Sequence, residues 1–597
     1  MPDKTSSLRI GQFSAYYGDR GNTFRELLDS DVDVLTGDYL AELTMLVLTK
    51  VRERGGKGYA EGFIGQITPF LAEIAERGVK VVTNAGGLDP EGCAQAIRDA
   101  AQAAGVKLSV ASVLGDNVLP DFGDMAASGE TFMHLDERVP LDVPSEKVIA
   151  ANAYLGAWPL VEALEGGADI VICPRVTDAS LIVGPAAWHF DWKHDDYDQL
   201  AGALWAGHAI ECGAQVSGGN FSLFTEFPDL GRPGMPIAEI TSDGSSRITK
   251  AHNTGGVVTV DTVKAQLYYE VGSADYHNPD VIAHLSAIAV SQVGPDLVAI
   301  ENPRGSAPTD STKLSLSYEG GYKNTMIVGI TGAHVEQKLR WLKREVERSI
   351  GPPESFDSFR YTVIGPTDSS GGTLDESTTL VFITARDCER RRVSRAGFAD
   401  PIVQLGVSNI PGYYMATPPQ KERSVGVQWP CLIPKETLDV RVKFEDRTVN
   451  VPWPAIDYAT FQPAAHSTSS KIVPLPPVAP VDPVLFGDVF GTRSGDKGGL
   501  ANLGVWGSNR AQYEWLLDFL TVERLASLLP DLNGLDIHRY EYPRLHGVNF
   551  IVRRYLEDGV SSSTRLDAQA KGLGEFLGSR LVDIPAEIRR PTQRSMT

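Results

Sequence analysis

Two rhythms of apolar residues run through the first part of the chain. Short, nearly continuous apolar runs at Leu8 to Ala15, Asp31 to Thr36, Val79 to Thr83, Val106 to Val113 and Ala168 to Cys173 have the length of strands. Between them lie stretches with helical spacing. One starts at Thr23 and another covers Ala41 to Arg52. A third, Ile64 to Ala75, sets Ile67, Leu71 and Ile74 on one face. Pro90 opens a further helix, and Ser145 to Leu164 reads as a helical region interrupted by Pro159. Strands separated by helices of this length pair in parallel through crossovers, which predicts an α/β fold with a doubly wound, mostly parallel sheet. Ligands of such sheets bind outside the carboxyl ends of the strands. That rule alone selects Gly37-Asp38, Asn84 to Gly87, Gly115 to Asn117 and Pro174 to Asp178.

From about Gly255 the pattern becomes β-rich with helices between, an α+β extension with a possible internal boundary near residue 250. Residues 1–465 are expected to form this main domain. Residues 466–483, rich in Ser and Pro, read as an extended linker. Residues 484–597 then suggest a small ferredoxin-like α+β domain. Its predicted strands are Val484 to Phe490, Ala501 to Trp506 and Val548 to Arg553, with helices at Ala511 to Leu528 and Arg565 to Arg580.

Composition narrows the partners. Lys and Arg total 55 against 76 Asp and Glu, a formal charge of −21 that repels phosphate backbones and argues against nucleic-acid binding. The five cysteines form no CxxC pair, which fits a reducing compartment rather than a disulfide framework or a zinc ribbon. The polar start, Met1 to Arg9, lacks a signal-peptide core, and no apolar run approaches the ~20 residues that span a bilayer. A cytoplasmic protein with a small-molecule substrate and no membrane partner is expected, and the base rate favours a homo-oligomer.

Familiar fingerprints are missing: no GxxxxGK[ST], no GxGxxG after the first strand, no GxSxG and no HExxH. No metal and no cofactor is therefore expected, and His189 and His194 read as part of an acidic surface loop. The chemistry then falls to strand-end polar residues. Arg175 is suited to grip a carboxylate or phosphate, and Asp178 to orient it or move a proton, unless the two only pin their loop. Glu211 is a candidate general base whose pKa burial would raise, preferred to Cys212 as a nucleophile. Gln215, Gly218 and Gly219 follow it in a glycine-rich stretch that lets backbone N–H groups approach a ligand. Asp38, Asn84, Gly86 and Gly87 are substrate-binding candidates at strand ends. Asn152, in the predicted helix, holds either a loop or a ligand carbonyl. Near the carboxyl terminus, Arg493, Asp496 and Lys497 sit among glycines in what reads as an anion-binding loop between two strands.

The segments GDYLAELTM (37–45), NAGGLDP (84–90), ANAYLGA (151–157), ADIVICPRVTDASL (168–181), GHAIECGAQVSGGNF (207–221), TGGVVTVDTVKAQLYYE (254–270) and RSGDKGG (493–499) resemble the acyclic terpene utilisation AtuA-like family. The resemblance covers almost the whole chain, including a carboxy-terminal ferredoxin-like domain. It implies a place in the catabolism of branched isoprenoid alcohols through acyl-CoA thioesters, and it assigns no role to any residue. Pro174 stands where similar sequences often have Gly. The expected activity is hydration, dehydration or a related lyase step on a branched or hydroxylated acyl-CoA or carboxylate, with CoA as part of the substrate. The alternatives are a non-catalytic binding or assembly component, or a hydrolase using Cys212 or a metal-bound water.

Overall fold

The computed structural model describes residues 7–227, 229–367, 372–460 and 483–590. Six strands come from the first part of the chain: β1 (Leu8–Ser14), β2 (Val34–Gly37), β3 (Lys80–Thr83), β4 (Val110–Leu114), β5 (Val148–Ala153) and β6 (Ile170–Ile172). All but β5 pair in parallel in the order β1-β2-β3-β6-β4. Antiparallel strands extend both flanks. Beyond β1 come β7 (Pro236–Ile240), β8 (Ser246–Lys250), Leu297–Glu301 and Ala289–Gly294; beyond β4 come Arg441–Lys443 and Thr448–Asn450. The result is a mixed α/β fold whose sheet is parallel at its centre. That centre puts Asp38, Asn84, Asp116 and Arg175, each just past the end of a parallel strand, along one edge.

One face of the sheet is sealed by Phe13, Phe24, Phe63, Ile67, Leu71, Ile74 and Ile97 among others, all essentially inaccessible. Each such side chain contributes roughly 1.5–3 kcal/mol on leaving water. The helix predicted over Ile64 to Ala75 is two helices, Glu61–Ile67 and Leu71–Arg77, joined by a tight turn at Thr68–Phe70, where Pro69 removes a backbone donor. The helical reading of Ser145 to Leu164 is corrected. Residues Val148–Ala153 form β5, which pairs with the strand starting at Ser311, and the helix is only Trp158–Glu165. Pro159 stands in its first turn, where the missing N–H costs nothing, so it starts this helix rather than interrupting one.

The chain divides into two compact units. The first comprises the described residues within 1–316, 430–555 and 570–597; the second, those within 317–429 and 556–569. The second is an antiparallel sheet built from Ser358–Ile364, Thr378–Asp387, most of Ser311–Thr331 and Tyr413–Met415. Its core includes Met326, Val328, Leu342 and Val346, with the last two on helix Val335–Ile350.

The first unit contains, besides the large sheet, a four-stranded antiparallel sheet in the order Gly491–Lys497, Leu500–Trp506, Gly547–Val552, Ile537–Tyr542. The strand expected over Val484 to Phe490 is only Val484–Leu485, followed by a short turn at Phe486–Asp488. The helix expected over Ala511 to Leu528 breaks at Leu520, and Thr521 caps a second one through Arg524 N–H at 3.2 Å. Of Arg565 to Arg580, only Leu573–Gly578 is α-helical, between Gly572 and Ser579. The proposed linker, up to residue 482, lies outside the described residues. Among the described residues no helix is long and apolar enough to cross a membrane.

Candidate functional site

The floor of the site is the carboxyl edge of the parallel strands. Asn84, after β3, is a clamp: its Oδ1 accepts from Tyr39 N–H at 2.7 Å and its Nδ2 donates to Asp38 Oδ1 at 2.7 Å. The chain turns there so tightly that a Cβ on Gly86 would stand 2.7 Å from the Cys173 carbonyl oxygen, and Gly87 has φ +51°. Asp89 then caps the next helix, accepting from Gly92 N–H at 2.9 Å. Asp116, after β4, receives Asn152 Nδ2 at 2.7 Å and the backbone N–H of Arg175 at 3.3 Å.

Arg175 is 2 % exposed and occupies the centre. Its guanidinium donates to the Leu40 carbonyl, pairs with Asp178 at 2.9 Å and lies 4.2 Å from the centroid of the Tyr154 ring. The Tyr154 hydroxyl donates to Glu42 at 2.9 Å, and Lys313 Nζ donates to the same carboxylate oxygen at 2.8 Å. One continuous network thus runs Asp178–Arg175–Tyr154–Glu42–Lys313.

The helix Tyr197–Ile210 and the carboxy-terminal sheet supply the opposite wall. His208 Nδ1 and Glu211 Oε1 are 2.9 Å apart, three residues apart at the end of that helix. Glu211 Oε2 has no hydrogen-bond partner among the described residues, and the Tyr269 backbone lies within hydrogen-bonding reach of the His208 ring. The Tyr276 ring lies 5.0 Å from the His208 ring and 5.1 Å from Lys497 Nζ. That amine donates to the Glu270 carbonyl at 2.7 Å. Arg493 lies 4.4 Å from the Tyr269 ring centroid and donates to the Asn220 carbonyl at 3.2 Å. Lys571 donates to the Tyr269 hydroxyl and lies 3.7 Å from Asp496.

The loop expected at Arg493 to Lys497 is corrected: these residues complete the strand Gly491–Lys497, and the turn is at Gly498-Gly499. Period-two alternation sends Arg493, Gly495 and Lys497 to one face. Gly495 is glycine because a Cβ there would fall 2.2 Å from the Tyr269 ring.

Asp178, Glu42 and Lys313 keep 24, 22 and 21 % of their side-chain surface, although burial is the largest single influence on the charge of each. Side chains that are both desolvated and reachable line a recess rather than a core. Burial, with Asp178 adding to it, pushes Asp38 well above the carboxylate range. Burial also raises Asp178, against the pull of Arg175. Glu42 goes the other way: Lys313 and Arg175 overcome its burial and hold it ionised. Burial raises Asp116 to about 7, opposed by the Asn152 hydrogen bond, and raises Asp496 to about 7 with help from Glu270. Burial draws Lys497 down, and Lys313 adds to the effect.

Burial lowers His208 to about 4 and raises Glu211 well above its usual value, with Asp178 and Glu270 contributing to the latter. Both shifts favour the uncharged forms, a carboxyl and a neutral imidazole, with Oε1 and Nδ1 2.9 Å apart. Cys212 is pushed up by burial and by Glu211, which opposes the thiolate that a nucleophile needs.

The residues selected from sequence are thus distributed unevenly. Asp38, Asn84, Asn152, Arg175, Asp178 and Glu211 belong to the two walls, with Asn84 and Asn152 holding carboxylates in place. A Cβ at Gly218 would meet Leu230 and one at Gly219 the Ala214 carbonyl, and Gln215 Oε1 lacks a partner among the described residues. Sequence reasoning missed Glu42, Tyr154, His208, Glu270, Tyr276, Lys313 and Lys571. His208 carried a usable signal, its three-residue spacing from Glu211 on a helix; Lys313 carried none.

Residues 8–444 match the family model described as acyclic terpene utilisation family protein AtuA, and residues 485–583 match the AtuA ferredoxin-like domain. No curated protein matches the chain.

Proposed function

The chain belongs to the acyclic terpene utilisation family AtuA, a membership that supports a catabolic role, and from it and the charged recess we propose an enzyme that adds or removes water, or performs a related lyase step, on a branched or hydroxylated acyl-CoA or carboxylate. The observation that carries this reading is Asp178. Its carboxyl is raised by burial, paired with Arg175 at 2.9 Å, and still reachable. A group so held accepts and returns a proton at a carbon next to a carbonyl, which is the step common to these reactions. Lys497 opposes the negative charge that develops on the carbonyl oxygen. Arg175 engages Leu40 and Asp178 through Nη1 and so orients the Asp178 carboxyl, while its buried Nε has no hydrogen-bond partner among the described residues and is left to meet the substrate's negative charge.

The test is incubation of the purified protein with a panel of branched enoyl- and hydroxyacyl-CoA thioesters, following the enoyl thioester absorbance. Turnover of at least one, reduced by ~10²–10⁴-fold in Asp178→Asn, is expected. No turnover of any, together with no thermal shift from CoA compounds, would end the proposal.

A further inference from the structure

Three lysines reach the recess, and they are not equivalent. Lys313 is bound to Glu42 at 2.8 Å, and Lys571 to the Tyr269 hydroxyl with Asp496 beside it. Lys497 is different: among the described residues its amine has one carbonyl acceptor, that of Glu270, and one aromatic face, that of Tyr276, with no carboxylate in ion-pair contact. It comes from the last position of a strand, next to the Gly498-Gly499 turn, and keeps part of its surface. An amine placed this way has donors to spare and a lone pair that only one proton hides. The charged groups nearest to it in effect are Lys313, Glu270, Glu42 and Asp178, and burial together with Lys313 makes that proton easier to lose.

We propose that Lys497 forms an imine with a free aldehyde or ketone that enters the recess. The substrate class is a carbonyl compound rather than a thioester, so the inference goes beyond the activity proposed above. Neutral Nζ attacks the carbonyl carbon; the C–N bond forms and the carbonyl π pair moves to oxygen, which takes a proton from the nitrogen. The resulting carbinolamine oxygen takes a second proton from the Asp178 carboxyl, the C–O bond breaks and water leaves. The nitrogen lone pair closes the C=N bond. One amine, one carbonyl and one proton thus give one iminium ion and one water, with the Asp178 carboxylate left as counter-charge. Tyr276, 5.1 Å from the nitrogen, presents its π face to the cation.

The test uses the full chain with isovaleraldehyde or methyl isobutyl ketone in the presence of sodium cyanoborohydride, followed by peptide mapping of the reduced adducts. Lys497 is expected to be labelled several-fold above the average surface lysine, because its partly exposed amine has a single carbonyl acceptor and no carboxylate partner among the described residues. In Lys497→Arg, checked for folding by thermal melting, the adduct at this position disappears while surface labelling persists. Should that variant fail to fold, the ratio of labelling at Lys497 to that at Lys313 within the unaltered protein decides. Labelling spread evenly over the lysines, or a ratio near one, overturns the proposal. The thioester assay on the same preparation separates the two readings: hydration without selective labelling removes only the imine, and selective labelling without hydration removes only the thioester chemistry.

Discussion

Lys435 and Lys497 have the same side chain, both lie over aromatic rings, and burial lowers the pKa of both, that of Lys435 to about 8. Their surroundings nevertheless differ in kind. Lys435 is 2 % exposed and donates to the Pro279 carbonyl at 2.7 Å and to the Thr309 carbonyl, with the Tyr458 and Trp453 ring centroids 4.8 and 5.2 Å away. Nearby, Asp280 accepts the Ala157 N–H at 2.8 Å and is raised by burial to about 6. That cluster ties loops together. Lys497 has one carbonyl and one ring, and faces a recess whose other wall carries reachable carboxylates. A buried, pKa-shifted charge is thus weak evidence of chemistry. Donors left over beside accessible space are better evidence.

The largest expected effect tests whether the recess is a low-dielectric site at all. Arg175→Met keeps an aliphatic stem and removes the cation that faces Asp178, with Asp38 and Glu42 also acting on it. Breaking one partner of a buried network costs about 3–5 kcal/mol, read by urea denaturation. A loss under about 1 kcal/mol would equate the recess with an ordinary wet surface, where ion pairs are worth that little.

The next effect is a pH dependence. His208 is held neutral in the folded protein down to about 4, whereas in the unfolded chain it takes a proton below its ordinary value of 6.5. The unfolded state therefore binds more protons between those values, and stability falls as pH drops through that window. The span corresponds to about 3 kcal/mol at most. Carboxyls raised by burial, Glu211, Asp178 and Asp38 among them, push the other way as they gain protons. The informative measurement is accordingly the difference between the pH–stability curves of the unaltered protein and His208→Gln. A gap that does not narrow toward low pH would mean that His208 already carries its charge as an ion pair with Glu211, and the neutral carboxyl–imidazole assignment would fall.

Why these groups were only partly visible in sequence follows from how the site is assembled. Short apolar runs fixed β2, β3 and β6 closely, and the strand-end rule for parallel sheets then led to Asp38, Asn84 and Arg175, because the rule needs only local pattern. It failed where two periods compete. The stretch Val148 to Ala153 has small residues that suit either period, and only its pairing with the strand beginning at Ser311 makes it extended. Lys313 enters from that same strand, more than a hundred residues from the motifs it joins, so no local spacing marks it. Lys497 read as a loop residue because glycine implied a turn. Gly495 is instead dictated by the Tyr269 ring lying against it, a tertiary fact that alternation alone does not contain.

The smallest effect bears most directly on the difference between Lys435 and Lys497. Lys435→Met would leave the carbonyls of Pro279 and Thr309 buried without their donor, a loss worth about 1–3 kcal/mol by the usual cost of stranded polar groups. Lys497→Met strands a single carbonyl, that of Glu270, and relieves a desolvated charge, so its net change in stability should stay within about 1 kcal/mol of zero. Urea midpoints at neutral pH measure both. The two lysines are alike in burial-driven pKa and ring contact, so equal losses would mean that donor count does not separate a structural amine from an available one. A stable Lys497→Met protein that has lost its reactivity would instead show that the sheet tolerates the loss of this amine, because the surrounding fold does not use it as a fastener.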